Sequence, residues 1–286
     1  MADHPSSVAE IVMVGLARIS IIRLTCAHEG QHSMKNHTKA KLLQGQPAYG
    51  YGLGSGSARV TEFLARCGID FLLIDNQHGS WGPDSTIDAL AAASAGTATP
   101  MVRVARNDYT MIGRLLDEGA MGIVVPMVET VEEARAAASA CRFPPVGSRS
   151  WGWGRAATYG PDYADWINDE LFVAVQLESV QAIEHAEAIM AVPGIDGCWV
   201  GPSDLALSLG IHPRDMGSSQ EHRQALEHVV QACTNTGKVP GLACFSPDDA
   251  LRHSELGFRF LTAGADLGFL MQGAMAGLKT LGFPSY

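Results

Sequence analysis

The chain has 286 residues, of which 47% are hydrophobic and 17% charged, and its formal net charge is −10. This acidic balance excludes a nucleic-acid-binding surface, because phosphate recognition needs clustered Lys and Arg and only a short basic stretch occurs, at 34–41. A membrane span is excluded as well, since no apolar run approaches the required length of about 18 residues.

The first 33 residues differ in character from the rest of the chain. They contain a short apolar stretch with no Lys or Arg before it, so a signal peptide is not expected. We predict that residues 1–40 form an extension outside the core fold and that residues 41–286 form a single domain. The six cysteines are scattered without a CxxC pair, which is typical of reduced thiols in a cytoplasmic protein.

Short apolar segments bounded by Gly, Asp or Pro recur from residue 48 onward and predict buried parallel strands. The eight segments are 48–53, 70–75, 100–104, 122–127, 171–178, 196–201, 238–244 and 258–264. Amphipathic helical stretches separate them, one of which opens on a capping box from Thr130 to Glu133. Repeated strand–helix alternation indicates an α/β fold, and eight units favour a (β/α)8 TIM barrel over an open doubly wound sheet. No GxGxxG follows the first strand and GxxxxGK[ST] is absent, so nucleotide binding is not favoured.

Several of the predicted strands end in polar residues that are capable of chemistry. In a barrel these ends share one rim, where active sites form. Each residue alone has a plainer explanation, such as a helix cap or an ion pair. Together they favour a site, because charged groups in apolar strands are costly unless they are paired or bind a ligand. They are Asp75 with His78, Arg103, Gln176 with Glu178, and Asp204.

The residue types at these strand ends indicate enolate chemistry. Glu178 and Asp204, from adjacent strands, offer two carboxylates to a divalent cation such as Mg²⁺ or Mn²⁺. No HxH or HExxH accompanies them, which disfavours a tetrahedral zinc site. Arg103 offers a guanidinium fork to a small carboxylate. His78, oriented by Asp75, is positioned to transfer a proton. We therefore predict the making or breaking of a bond next to an enolate.

Seven motifs succeed one another between about Tyr49 and Gly277. They are LLIDxxH (72–78), PxVR (100–103), LLDEGAMGIVVPMVETVEEA (115–134), RFPPVGSRSWG (142–152), VQLES (175–179), GIDGCWVGPSDLALSLG (194–210) and PDDA (247–250). In this order and spacing they resemble the HpcH/HpaI family of class II, metal-dependent pyruvate aldolases, within the pyruvate/phosphoenolpyruvate barrel superfamily. The resemblance strengthens the prediction of a barrel.

The resemblance implies a role for each residue of the predicted rim. Glu178 and Asp204 match the metal ligands, for Mg²⁺ or Mn²⁺ with Co²⁺ as a third candidate. Arg103 matches the arginine that holds the pyruvyl oxygens. His78 matches the catalytic base, and Asp75 is its orienting partner.

The resemblance also implies a substrate and an assembly. Gln176 lies beside the bound oxoacid, and backbone N–H groups around Ser203 and Asp204 hold its carboxylate. Asp117 matches a catalytic acid that reaches the neighbouring subunit's site in a homohexamer built as a dimer of trimers. The apolar C-terminal helix is expected to pack on a neighbouring subunit. The implied reaction is reversible aldol cleavage of a 4-hydroxy-2-oxo acid into pyruvate, or a close analogue, and an aldehyde.

The chain departs from the family next to His78. Gln77 stands where the family usually has Glu, which makes the loop more neutral, and Trp81 adds a flat ring that we expect to contact the substrate at the rim. The aromatic segment at 148–166 either packs between subunits or recognises the aldehyde. These departures affect the expected substrate rather than the expected reaction.

Two other functions fit parts of the pattern. A thioester lyase or a decarboxylase of the same superfamily would use the same metal, arginine and enolate, although a thioester lyase needs a basic surface for CoA that this acidic chain lacks. A non-catalytic barrel that only binds a partner would be expected to have lost at least one of Glu178, Asp204, Arg103 and His78, and all four are present.

Overall fold

The computed structural model describes residues 36–283 of the chain, so residues 1–35 of the predicted extension lie outside this range. All eight predicted strands are confirmed. They are β1 (Ala48–Leu53), β2 (Phe71–Asp75), β3 (Thr99–Arg103), β4 (Gly122–Val125), β5 (Phe172–Gln176), β6 (Gly197–Trp199), β7 (Gly241–Leu242) and β8 (Phe260–Ala265). Every strand pairing is parallel, in the order β6-β5-β4-β3-β2-β1-β8-β7. Two parallel bridges, Gly197–Val239 and Val200–Leu242, join β6 to the β7 segment, so the sheet forms a nearly closed (β/α)8 barrel.

Helices connect successive strands and surround the barrel. They are α1 (His37–Leu43), α2 (Ala58–Ala65), α3 (Pro83–Ala93), α4 (Tyr109–Asp117), α5 (Val131–Cys141), α6 (Tyr163–Glu170), α7 (Val180–Glu184), α8 (Ala186–Met190), α9 (Pro202–Ser208), α10 (Gln220–Thr236), α11 (Pro247–Glu255) and α12 (Asp266–Thr280), with a 3-10 helix at Arg155–Tyr159. The predicted capping box of α5 is confirmed, since Thr130 and Glu133 accept hydrogen bonds from each other's backbone N–H groups. None of the helices in this part of the chain has the length and hydropathy that a membrane crossing requires.

Successive strand residues alternate between the barrel interior and the surrounding helices. On β2, Phe71 and Leu73 belong to the interior cluster, whereas Leu72 and Ile74 pack in the layer between strands and helices. The same alternation turns Asp75, at the carboxyl end of β2, toward the interior. Apolar layers therefore fill the barrel interior along most of the strand length, and polar residues line it at the carboxyl ends of the strands.

Helix α1 covers the amino ends of the strands. Lys39 donates to the backbone oxygen of Leu171 at 2.8 Å and pairs with Asp196 at 3.0 Å, while Thr38 Oγ1 donates to the backbone oxygen of Asp70. These contacts hold α1 to the segments that precede β2, β5 and β6. The predicted boundary at residue 40 therefore falls inside α1, a helix that packs on the barrel. Hydrophobic patterning did not reveal this, because the helix is held in place by a buried lysine.

Candidate active site

The carboxyl ends of the strands surround a cavity of about 520 Å³. Of the six residues predicted for the rim, Asp75, Arg103, His78 and Asp204 line it. Strand alternation turns the first two inward, and the parallel register sets Asp75 opposite Arg103. His78 lies in the loop after β2, and Asp204 lies in the first turn of α9, which follows β6.

Asp75 and Arg103 form a bidentate ion pair in the wall of this cavity. Nε and Nη2 of Arg103 donate to the two oxygens of Asp75 at 2.8 and 2.5 Å. Burial opposes ionisation of Asp75, but the hydrogen bonds and charge of Arg103 outweigh it and hold the pKa of Asp75 below its ordinary value. Two of the three guanidinium nitrogens of Arg103, which were predicted to bind a substrate carboxylate, therefore already donate to Asp75. Nη1, which lies 3.5 Å from Gln176 Oε1, remains the more available edge.

His78 is exposed at the mouth of the cavity. The predicted contact between the Asp75 carboxylate and the His78 ring is wrong. Asp75 Oδ1 instead accepts hydrogen bonds from the backbone N–H groups of Gln77 and His78, at 3.0 and 3.1 Å. Asp75 therefore fixes the backbone of the loop that carries His78 rather than the direction of the imidazole.

Glu178 and Asp204 converge beside Gly201. A Cβ atom on Gly201 would lie 2.3 Å from Glu178 Oε2 and 3.4 Å from Asp204 Oδ2, so both carboxylates border one small space that glycine keeps open. Gln176 Nε2 donates to Glu178 Oε2 at 2.5 Å, and the backbone N–H of Met127 donates to Oε1 at 3.1 Å. These bonds fix the Glu178 carboxylate in place.

The charge of Glu178 is not balanced within the described chain. Its side chain is only 4% exposed, and no Lys, Arg or His of residues 36–283 forms a salt bridge with it or with Asp204. Burial raises the pKa of Glu178 to about 7, an effect that the Met127 N–H and the charge of Arg103 oppose and the neighbouring Asp204 reinforces. A buried carboxylate beside a second one is costly unless a cation joins them. The pair therefore fits a hard divalent cation held through oxygen ligands.

Helix α9 begins at the same cavity, which Ser203 lines. Its first intrahelical bond runs from Leu205 N–H to the Gly201 oxygen at 3.0 Å. The N–H groups of Ser203 and Asp204 precede this bond and are left by the helix geometry for another acceptor. The role of these two groups in holding a small carboxylate stays a prediction.

Sequence reasoning missed Trp199, whose ring lies 5.2 Å from the guanidinium carbon of Arg103. Trp199 also lines the cavity, together with Thr262 on β8. The signal was available, because alternation along the predicted strand 196–201 turns Trp199 to the same side as Gly197 and Gly201.

Trp81 is placed away from this cavity, contrary to the prediction. Its indole N–H donates to the backbone oxygen of Leu53 at 2.7 Å. The ring lines a separate cavity of about 340 Å³, together with Ile87 of α3 and Leu115 of α4. The hydrogen bond to β1 sets this direction, and a turn sequence gives no sign of a partner so far away in the chain.

Asp117 does not meet the other predicted residues within one chain. It ends α4 and pairs with the buried Arg149 at 2.7 Å, next to a hollow of about 320 Å³. Arg149 also donates to the Tyr163 hydroxyl at 3.1 Å. The aromatic segment 148–166 thus surrounds Asp117, and its Trp153 is 85% exposed. The role of Asp117 in a neighbouring subunit's site stays a prediction.

Comparisons with known proteins agree with this geometry. The chain is 37% identical over 250 residues to a 4-hydroxy-2-oxo-heptane-1,7-dioate aldolase of Klebsiella pneumoniae, covering 85% of this chain and 92% of the relative. It is 36% identical over 247 residues to a hydroxypyruvate/pyruvate aldolase of Delftia acidovorans, covering 85% and 91%. A crystal structure of an HpcH/HpaI aldolase/citrate lyase family protein from Burkholderia cenocepacia superposes with a TM-score of 0.80 at 32% identity, covering 86% of this chain and 99% of that one. Residues 51–272 match the family described as HpcH/HpaI aldolase/citrate lyase, and the chain belongs to that family.

Proposed function

We propose that this protein, a carbon–carbon lyase of the class II aldolase type, reversibly cleaves a 4-hydroxy-2-oxo acid into pyruvate, or a close analogue, and an aldehyde. The observation that carries the proposal is the convergence of Glu178 and Asp204 on the space beside Gly201. Both aldolase relatives are named for oxo acids, which supports the same class of substrate here.

Different groups around this space would bind the metal ion and the substrate. Glu178 and Asp204 would hold a divalent cation, which supplies Lewis acidity to the oxygen that becomes negative as the carbon–carbon bond breaks. Arg103 offers Nη1 to the oxoacid, while its bonds to Asp75 keep the guanidinium from rotating. The backbone N–H groups of Ser203 and Asp204 receive the substrate carboxylate.

His78 serves as the base for the C4 hydroxyl of the substrate. Its ring lies at the exposed mouth of the cavity, where a proton can be exchanged with solvent. An imidazole is suited to this task because it can both accept and donate a proton. In the cleavage direction it takes the hydroxyl proton as the C3–C4 bond breaks, and in synthesis it returns the proton to the new alkoxide.

Activity should depend on added Mg²⁺ or Mn²⁺, with Co²⁺ as a third candidate. The test is the release of pyruvate from a panel of 4-hydroxy-2-oxo acids by protein treated with EDTA and then reloaded with metal. Glu178→Gln is the matched variant. We expect cleavage that needs metal and falls by about 10³-fold in the variant, as when a charge-stabilising group is removed. Cleavage that survives both EDTA and the substitution would overturn the proposal.

We also propose that the enzyme acts in the cytoplasm as a homohexamer in which Asp117 completes a neighbouring site. Leu270 and Met271 on α12 are 67% and 58% exposed, which supports a covering partner surface. Co-expressing His78→Ala and Asp117→Asn subunits tests the shared site. Each variant alone should be inactive, and mixed assemblies should recover part of the wild-type activity. No recovery in verified mixed assemblies would mean that Asp117 acts within its own chain or not at all.

A further inference from the structure

A second cluster of ligand-type side chains lies outside the proposed aldolase metal site, where β7 leads into α11. It consists of Cys244, Asp249 and His253, and their Sγ, carboxylate and Nδ1 atoms all lie within 4.8 Å of one another. We propose that these three residues form a second cation site, selective for a borderline-soft ion of the Zn²⁺ type.

The distances within the cluster are close to those of a tetrahedral zinc site. Cys244 Sγ and His253 Nδ1 are 3.9 Å apart, and Asp249 Oδ1 and His253 Nδ1 are 3.3 Å apart. Zinc bonds of about 2.0–2.3 Å at tetrahedral angles place ligand atoms roughly 3.3–3.8 Å from each other. Two of the three ligand–ligand distances are therefore close to tetrahedral values, and the fourth position is left for water.

The donor types distinguish this cluster from the pair formed by Glu178 and Asp204. A thiolate and an imidazole bind Zn²⁺ in preference to Mg²⁺ or Mn²⁺, whereas a site made only of oxygen ligands favours the harder ions. The two sites can therefore hold different metals in the same subunit.

The cluster already contains a proton that a metal ion can replace. The hydrogen bond from His253 lowers the pKa of Asp249, and the Asp249 carboxylate raises the pKa of His253, so acid and imidazole form an ion pair. Burial raises the pKa of the Cys244 thiol, which therefore ionises on metal binding rather than before it. His253 Nδ1 would leave its 2.9 Å bond to the Asp249 backbone oxygen to bind the ion.

The only other cation that pairs with the Asp249 side chain, among residues 36–283, is Arg252. Its guanidinium donates to Asp249 Oδ1 at 2.9 Å, but the Arg252 side chain is 67% exposed and three residues away on the same helix. Such a surface pair is weak, so Arg252 can move into solvent when an ion arrives.

The cluster can be reached from solvent on two sides. Asp249 and His253 line a cavity of about 260 Å³ between α10 and α11, while Cys244 lines the larger cavity that holds the aldolase residues. An ion bound between the two cavities would thus have an entry path and room for a water ligand.

Cobalt(II) added to metal-free, full-length protein tests the site, because a thiolate bound to cobalt gives a charge-transfer absorption that oxygen ligands do not. We expect this band in the wild type, its loss on adding Zn²⁺, and its absence in Cys244→Ser. Cys67→Ser, at an exposed cysteine, is the matched control and should keep the band. Glu178→Gln should keep it too, so failure of this site and failure of the aldolase proposal are distinguishable.

A second variant protects the test against misfolding of Cys244→Ser. His253→Gln should lower the Zn²⁺ affinity, measured by competition with a chromophoric chelator, by about tenfold or more. A wild-type protein without a thiolate–cobalt band, a band that persists in Cys244→Ser, or an unchanged affinity in His253→Gln would each overturn the proposal.

Discussion

Replacing Glu178 with Gln should stabilise the metal-free protein while it abolishes cleavage. In the folded state burial raises the pKa of Glu178 to about 7, against 4.5 for the free side chain. Between these values the folded chain keeps a proton that the unfolded chain releases, so stability falls as pH rises from 4.5 to about 7. A shift of this size corresponds to about 3 kcal/mol, fully expressed above pH 7. Glutamine has no charge to bury and can still accept the Met127 N–H bond, at the cost of the bond from Gln176 Nε2.

Urea unfolding of EDTA-treated protein, followed by circular dichroism, measures this effect. At about pH 5 the variant should be more stable than the wild type by under 1 kcal/mol, and at about pH 8 by on the order of 3 kcal/mol. Glu227→Gln, at an exposed position of α10, is the control and should show no such trend. Added Mn²⁺ should reverse the order by stabilising the wild type alone. A variant that is less stable than the wild type at both pH values would refute the argument that Glu178 is a buried, uncompensated carboxylate.

Three further substitutions test the site and the barrel. Gly201→Ala puts a Cβ between the two carboxylates, so the Mn²⁺ affinity, measured by calorimetry, should fall by about 10²-fold. Gly217 has open space around it, so the control Gly217→Ala should leave the Mn²⁺ affinity unchanged. Arg103→Lys keeps the charge but loses the bidentate bond to Asp75, and kcat/KM should fall by about 10²-fold without unfolding. Lys39→Ala removes one partner of a buried ion pair, so unfolding free energy should fall by about 3 kcal/mol, with activity per folded molecule unchanged.

The sequence predicted the barrel and the inward polar residues because both follow from local patterns. Alternation along each strand decides which side chains face the interior, and it placed Asp75 and Arg103 correctly. It did not reveal that the two would pair, since their contact depends on the register between β2 and β3. The direction of Trp81 likewise depends on Leu53 in another strand. What a residue contacts across the fold was therefore harder to predict than which way it faces.

The buried acids of this barrel differ in whether a cationic side chain pairs with them, and this difference distinguishes structural acids from those of the proposed metal site. Asp196 receives two cations, and Asp75 receives the guanidinium of Arg103, so the charges of these acids are neutralised by the chain itself. Glu178 is more deeply buried than either, yet among residues 36–283 its hydrogen bonds come from neutral donors, and only the more distant charge of Arg103, which forms no salt bridge with it, offsets the neighbouring Asp204. Folding alone gives no reason to keep such a pair, because two apolar residues would cost less. A cation that enters between the two carboxylates supplies the missing compensation, and the narrow space beside Gly201 is where it fits.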